Sequence, residues 1–204
     1  MEKLSFITVT VLFFTGLAAG SFAQTAKSAD VKNIDAYCKT VDTIRKKRKT
    51  PELVFADTAG MEDDKEKWRS FASEKALDKF REKTETYSIA YNWRKAGKIV
   101  ASNFTLSSPS GDWVKYVYHY FREDGSLARV ESELRTFYGD FRVVRVRYFD
   151  RNGKELHKTE KFLDLATKQP KKPESGGVMG DDPSEVDYYT TTDKLPFAHL
   201  LKTK

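Results

Sequence analysis

The spacing of apolar positions along this chain changes from three-and-four to two. Val31, Ile34, Tyr37, Cys38, Val41 and Ile44 recur at steps of three and four, so they share one narrow arc of a helix. Ser28 or Asp30 can cap its start, and Pro51 follows its end. A second helix is predicted over residues 63–83. Trp68, Ala72, Ala76, Leu77 and Phe80 make its apolar side, charges fill the other, and Phe71 falls out of pattern. From Tyr87 onward, Tyr87, Ile89, Tyr91 and Trp93 alternate with small or polar residues. So do Val114, Tyr116, Tyr118 and Tyr120, and again Val144, Val146 and Tyr148. Alternation with aromatic and β-branched residues predicts half-buried strands.

The strands repeat. WRKAGKI starts at Trp93, FREDGSL at Phe121 and FDRNGKEL at Phe149, and the leading aromatics are 28 residues apart twice. Gly97, Gly125 and Gly153 keep the same interval. A glycine four residues after a strand-ending aromatic fits a tight hairpin loop, with Asp124 and Asn152 as favoured turn residues before it. Three hairpins give six strands. With a loop at 123–125, Tyr120 would face Ala128, Tyr118 Val130 and Val114 Leu134 on a dry side. His119 would face Arg129, and Lys115 Glu133, on a charged side. The string YFDRNGKEL resembles one hairpin of the YD- and MORN-like repeats. It spans nine residues, and the resemblance implies only a shared hairpin chemistry.

After Leu165 the chain turns to Pro, Gly, Ser and charge, which predicts a flexible tail. The tail ends in Tyr188, Tyr189 and LPFAHLL, which has the composition of a short docking segment. The expected fold class is α+β: two N-terminal helices packed on a six-stranded antiparallel meander of three 28-residue hairpin repeats, with a flexible C-terminal tail. The corresponding division is a signal peptide at 1–23, a helical segment at 24–86, the repeat sheet at 87–168 and the tail at 169–204.

The address comes from the first residues. Lys3 precedes an apolar run over 6–19, and Ser21 and Ala23 stand at −3 and −1 of a small-residue cleavage site. The mature chain is expected to be exported, periplasmic or extracellular, and to carry no transmembrane segment. Cys38 is its only cysteine, so an internal disulfide is excluded, and its place in the apolar arc makes it a buried hydrophobe.

Charge alters this picture at one place. The chain carries a formal +6, and residues 24–49 hold eight Lys or Arg against three Asp. The run Arg45, Lys46, Lys47, Arg48, Lys49 exceeds what a helix C-terminus needs, so an anionic envelope surface is a candidate partner and nucleic acid is not expected. No metalloprotease, nucleophile-elbow, phosphate-loop, dinucleotide or CxxC motif is present. His119 and His157 lie on neighbouring hairpins, and surface pairing explains them better than a metal or general base. No cofactor or metal is therefore expected, and the chain is not expected to be an enzyme. Tyr116, Tyr118 and Tyr120 along one strand, with His119 and Arg129, are either core or a binding surface. The expected function is an exported binding or envelope-associated protein acting through a sheet face, a helix/sheet groove or the basic helix end. A carrier of a hydrophobic ligand held between sheet and helices is the alternative, and a hydrolase without a recognisable motif the third.

Overall fold

The structure, a computed structural model, describes residues 28–60, 62–172 and 188–201. The signal-peptide expectation for 1–23 lies outside them, as does the stretch 173–187 of the expected tail.

The first helix forms where its periodicity predicts. Helix α1 (Ala29–Arg48) is capped by Ser28, whose Oγ accepts from Val31 N–H at 3.3 Å, and it buries Val31, Ile34, Cys38 and Val41. Two strands follow that the alternation does not announce, β1 (Leu53–Asp57) and β2 (Trp68–Phe71). The second helix is therefore shorter than expected. Helix α2 (Glu74–Arg81) begins at the Ser73 cap, and Trp68 and Phe71 belong to the strand before it. Phe71, out of phase on a helical wheel, is in phase on the strand: it pairs opposite Val54 and packs with the Leu77 cluster.

Six long strands complete the sheet: β3 (Ser88–Lys95), β4 (Lys98–Ser107), β5 (Trp113–Phe121), β6 (Leu127–Thr136), β7 (Phe141–Phe149) and β8 (Glu155–Asp164). With β1 and β2 they form one eight-stranded antiparallel sheet in the order β2-β1-β3-β4-β5-β6-β7-β8. The three expected hairpins are β3–β4, β5–β6 and β7–β8.

The register of the middle hairpin differs from the expected one by a single residue. The loop is the expected one, with Arg122 N–H donating to Ser126 O and Gly125 at φ +86°. Phe121 then pairs with Leu127, but Tyr120 pairs with Arg129, so Ala128 is the extra residue of a β-bulge. The same bulge falls at Val100 in the first hairpin and Leu156 in the third. The repeat thus conserves its bulge, and every side chain past it shifts partner. Tyr118 faces Glu131, His119 faces Val130, and Lys115 faces Leu134. The expected pairs His119 with Arg129 and Lys115 with Glu133 do not form. The first loop, Ala96-Gly97, is one residue shorter, so Trp93 joins the face of Tyr120 and Tyr148, while Phe121 and Phe149 point to the other.

Helices α1 and α2 lie on one face of a sheet that has eight strands rather than the expected six. Val31, Ile34, Cys38 and Val41 of α1 pack on Trp93, Ala101, Tyr120, Ala128 and Tyr148, and Leu77 of α2 packs on Val54, Ala56 and Ile89. The opposite face is not the charged, open side expected. It buries Phe55, Phe104, Val117, Phe121, Val130 and Phe149. What covers it is the end of the chain. Residues 188–201, which include α3 (Ala198–Leu201), bury Leu195 and Phe197, and Phe197 stacks on Phe55 at 4.2 Å. This part of the expected flexible tail is docked. It is tied by Leu127 N–H to Thr190 O and by Thr192 N–H to Gly125 O.

Candidate functional site

The sequence-selected residues do not assemble into one site, because the bulge and the alternation send them to different faces. Tyr120 is buried under α1, where its hydroxyl donates to Asp42 at 3.1 Å. Arg129 lies over the Tyr120 ring and pairs with Asp35 at 2.8 Å and Glu131 at 2.6 Å. Tyr148 donates to the same Asp35 carboxylate at 2.9 Å. The group is a cross-link between α1 and the sheet. Burial raises the Glu131 carboxyl above its usual range, and the Arg129 guanidinium opposes that rise. Tyr118 and Tyr116 are half-buried further along the strand, under Arg45 and Arg135 respectively.

The basic run divides. Arg45 turns inward over Trp93 and Tyr118 and pairs with Asp42 at 3.2 Å. Arg48 pairs with Glu52. Lys46, Lys47 and Lys49 are exposed, and Lys49 closes the helix at φ 58°.

His119 lies on the opposite face, 1 % exposed, stacked on Phe121 and against Phe104 and Tyr189. Tyr189 N–H donates to its Nε2 at 3.3 Å, which assigns the ring proton to Nδ1. Burial pushes its pKa down to about 3, with the backbone of Ser102 and Val117 offsetting only part of that, so the ring is neutral. His157 is on the helix face beside Tyr148, so the two histidines lie on opposite sides of the sheet. Among the described residues no three of His, Cys, Asp and Glu gather as metal ligands. Cys38 is fully buried, and burial pushes its thiol up to about 12, which keeps it protonated and inert.

One concave surface, lined by none of the expected binding residues, lies at the loop end of the sheet. A hollow of about 810 Å³ opens between the first turns of α1 and the loops of the second and third hairpins. Its floor is Ile34, Tyr37, Ala128 and Leu156, and its rim carries Asp30, Asn33, Glu123, Asp124, Asp150 and Asn152. Arg122 braces it from below, donating to Leu127 O and Phe149 O at 2.6 Å each, which locks one hairpin to the next. Tyr37 hydroxyl donates to Phe121 O at 2.5 Å and fixes α1 over the same strand end. Burial pushes that phenol up to about 12.

Several rim carboxylates serve the turns. Asp124 accepts from Ser126 N–H and Oγ–H at 2.9 and 2.6 Å, and these bonds hold its pKa below the usual range. Asp150 accepts from Asn152 and Lys154 N–H at 2.8 and 2.9 Å. Glu123 is held low by the bond from Lys95 at 2.6 Å. The turns thus carry a rim of mixed charge, in which Arg151 also lines the hollow and pairs with Asp124. The one sequence signal for it was the repeat itself, which brings successive loops to the same sheet end. No protein-family model, curated protein or solved structure matches the chain.

Proposed function

We propose that the chain is an exported, non-enzymatic binding protein that recognises its partner at the loop end of the sheet, in the groove between α1 and the hairpin loops. The observation that carries this reading is the contrast between a filled interior and a hollow rim. Val31, Ile34, Cys38 and Val41 close the space between α1 and the sheet, whereas the hollow of about 810 Å³ opens outward at the loops. A carrier needs an enclosed apolar chamber, so the filled interior weighs against that alternative. Recognition at a groove needs rigid walls, which the Arg122 and Tyr37 hydrogen bonds supply. A hydrolase needs a nucleophile or base poised to react. Cys38 is buried as a thiol rather than a thiolate, and His119 is buried with its basicity lowered by desolvation, so neither is placed to act as nucleophile or base on a bound substrate.

Photo-crosslinking in the producing cells tests the proposal. A photoreactive residue at Asn33 or Leu156, both on the groove, should give a discrete adduct. The same residue at Lys79, an exposed position of α2, should not. Equal labelling from all three positions refutes groove recognition.

A further inference from the structure

A second hollow, on the face covered by residues 188–201, has a different chemistry. It measures about 280 Å³ and lies between β2, β4, β5 and Tyr189. Its walls are aromatic: Trp68 meets Phe104 edge-on at 5.9 Å, and Phe104 meets Tyr189 at 5.4 Å. Lys115 lines the same hollow and is only 8 % exposed. Its strand partners are Leu106 and Leu134, and its Nζ lies 5.8 Å from the Trp113 ring. A lysine in such surroundings is rare, because desolvation penalises the ammonium. At the mouth, the exposed Glu66 carboxylate accepts from Trp68 Nε1–H at 2.8 Å.

We infer that this hollow binds a small aromatic molecule bearing one anionic group, with the ring between Trp68, Phe104 and Tyr189 and the anion against Lys115. The volume sits at the small end of ligand sites, which suits one or two fused rings. Flat aromatic walls favour a flat aromatic guest by offset and edge-on contacts. An ammonium has three donors, so a guest anion adds to the contacts Lys115 keeps within the fold. In this low-dielectric setting a carboxylate gains more from the ammonium than it would at the surface. Glu66 works the other way. Its negative charge at the mouth weakens an anion and leaves a neutral guest alone, so the two residues give opposite signs in one experiment.

The test is an NMR titration of the full mature chain with naphthoate and with neutral naphthamide, which share a ring system and differ in charge. Naphthoate should saturate and move the Trp68 and Trp113 indole signals and the Phe104 and Tyr189 amides. Naphthamide should bind about tenfold more weakly. Lys115→Met, similar in length and apolar, should erase that difference by weakening naphthoate alone. Glu66→Gln should tighten naphthoate and leave naphthamide unchanged. Ser88→Trp, at a half-buried lining position, should block both. The inference is overturned if naphthoate moves no signal into the millimolar range, if both compounds bind equally, or if the shifts fall on the α1 groove instead. Should Lys115→Met fail to fold, the Glu66→Gln comparison still decides, since an unchanged naphthoate affinity there refutes the placement of the anion.

Discussion

Gly125 shows what one residue does for two parts of the fold. At φ +86° it makes the second hairpin turn, and an added Cβ would lie 2.8 Å from Thr192 Oγ1 of the docked C-terminal segment. Gly153 holds the same turn in the third hairpin at φ +82° with open space around it. Alanine at either position carries backbone strain of about 1–2 kcal/mol. Only Gly125→Ala also pushes against Thr192, so it should destabilise by about 1 kcal/mol more in denaturant melts. Adding Thr192→Ala should remove that excess, and equal losses at the two glycines would mean that the segment does not rest on the turn. The turn itself was readable, because Asp-Gly after an aromatic strand end specifies it. The contact with Thr192 was not, because it joins residues 67 apart in sequence. His119 gives a second test. Its pKa is depressed to about 3 in the fold, so below pH 6.5 the unfolded chain binds a proton that the folded chain does not. Stability contributed by the neutral ring is full above pH 6.5 and falls toward pH 3, by up to about 1.4 kcal/mol per pH unit. His119→Phe should flatten the loss of stability between pH 6.5 and 4.5. An unchanged slope would place the histidine in solvent.

At the scale of elements, the C-terminal segment is the largest departure from the sequence-based picture. Its polar approach hides LPFAHLL from any periodicity test, since two or three apolar residues fit a tail as well as a docked turn. Their meaning depends on the sheet face they meet, which displays Phe55, Phe104 and Phe121. Phe197 is fully buried there, stacked on Phe55 and 5.9 Å from Phe104. Phe197→Ala should therefore cost about 3–5 kcal/mol, as for a core phenylalanine. Leu201→Ala, at a partly buried position, should cost distinctly less. Chemical denaturation of both variants separates a docked segment from a loose tail, which would leave the two indistinguishable from the parent. The strands β1 and β2 escaped notice for a related reason. LVFAD and WRSF are too short to show alternation, and Trp68 with Phe71 three residues later imitates a helical step. The three hairpins were legible because each repeats the same turn and alternation. Their bulges at Val100, Ala128 and Leu156 were not, because a bulge leaves composition unchanged and alters only which residues meet.

For the whole molecule, the order of elements and the distribution of charge bear on the address. The excess of positive charge is concentrated in residues 24–49, and the described fold begins at the Ser28 cap of α1. Ser28 caps one of the N–H groups that the first turn leaves without an intrahelical partner, so a start signal for α1 lies inside the described residues. Cleavage after Ala23 would leave that cap four residues inside the new N-terminus. It would also remove the apolar run at 6–19 and spare every residue of the α1–sheet core. Removal of residues 1–23 is therefore expected to leave the stability of the described fold unchanged. A chain starting at Gln24 should then melt within about 2 °C of an otherwise identical chain whose cleavage is blocked by Ala23→Arg, a difference below what one lost packing contact produces. Mass spectrometry of the exported protein should find Gln24 as its first residue. A secreted product that still begins at Met1, or a large drop in melting temperature on removal of 1–23, would overturn the address.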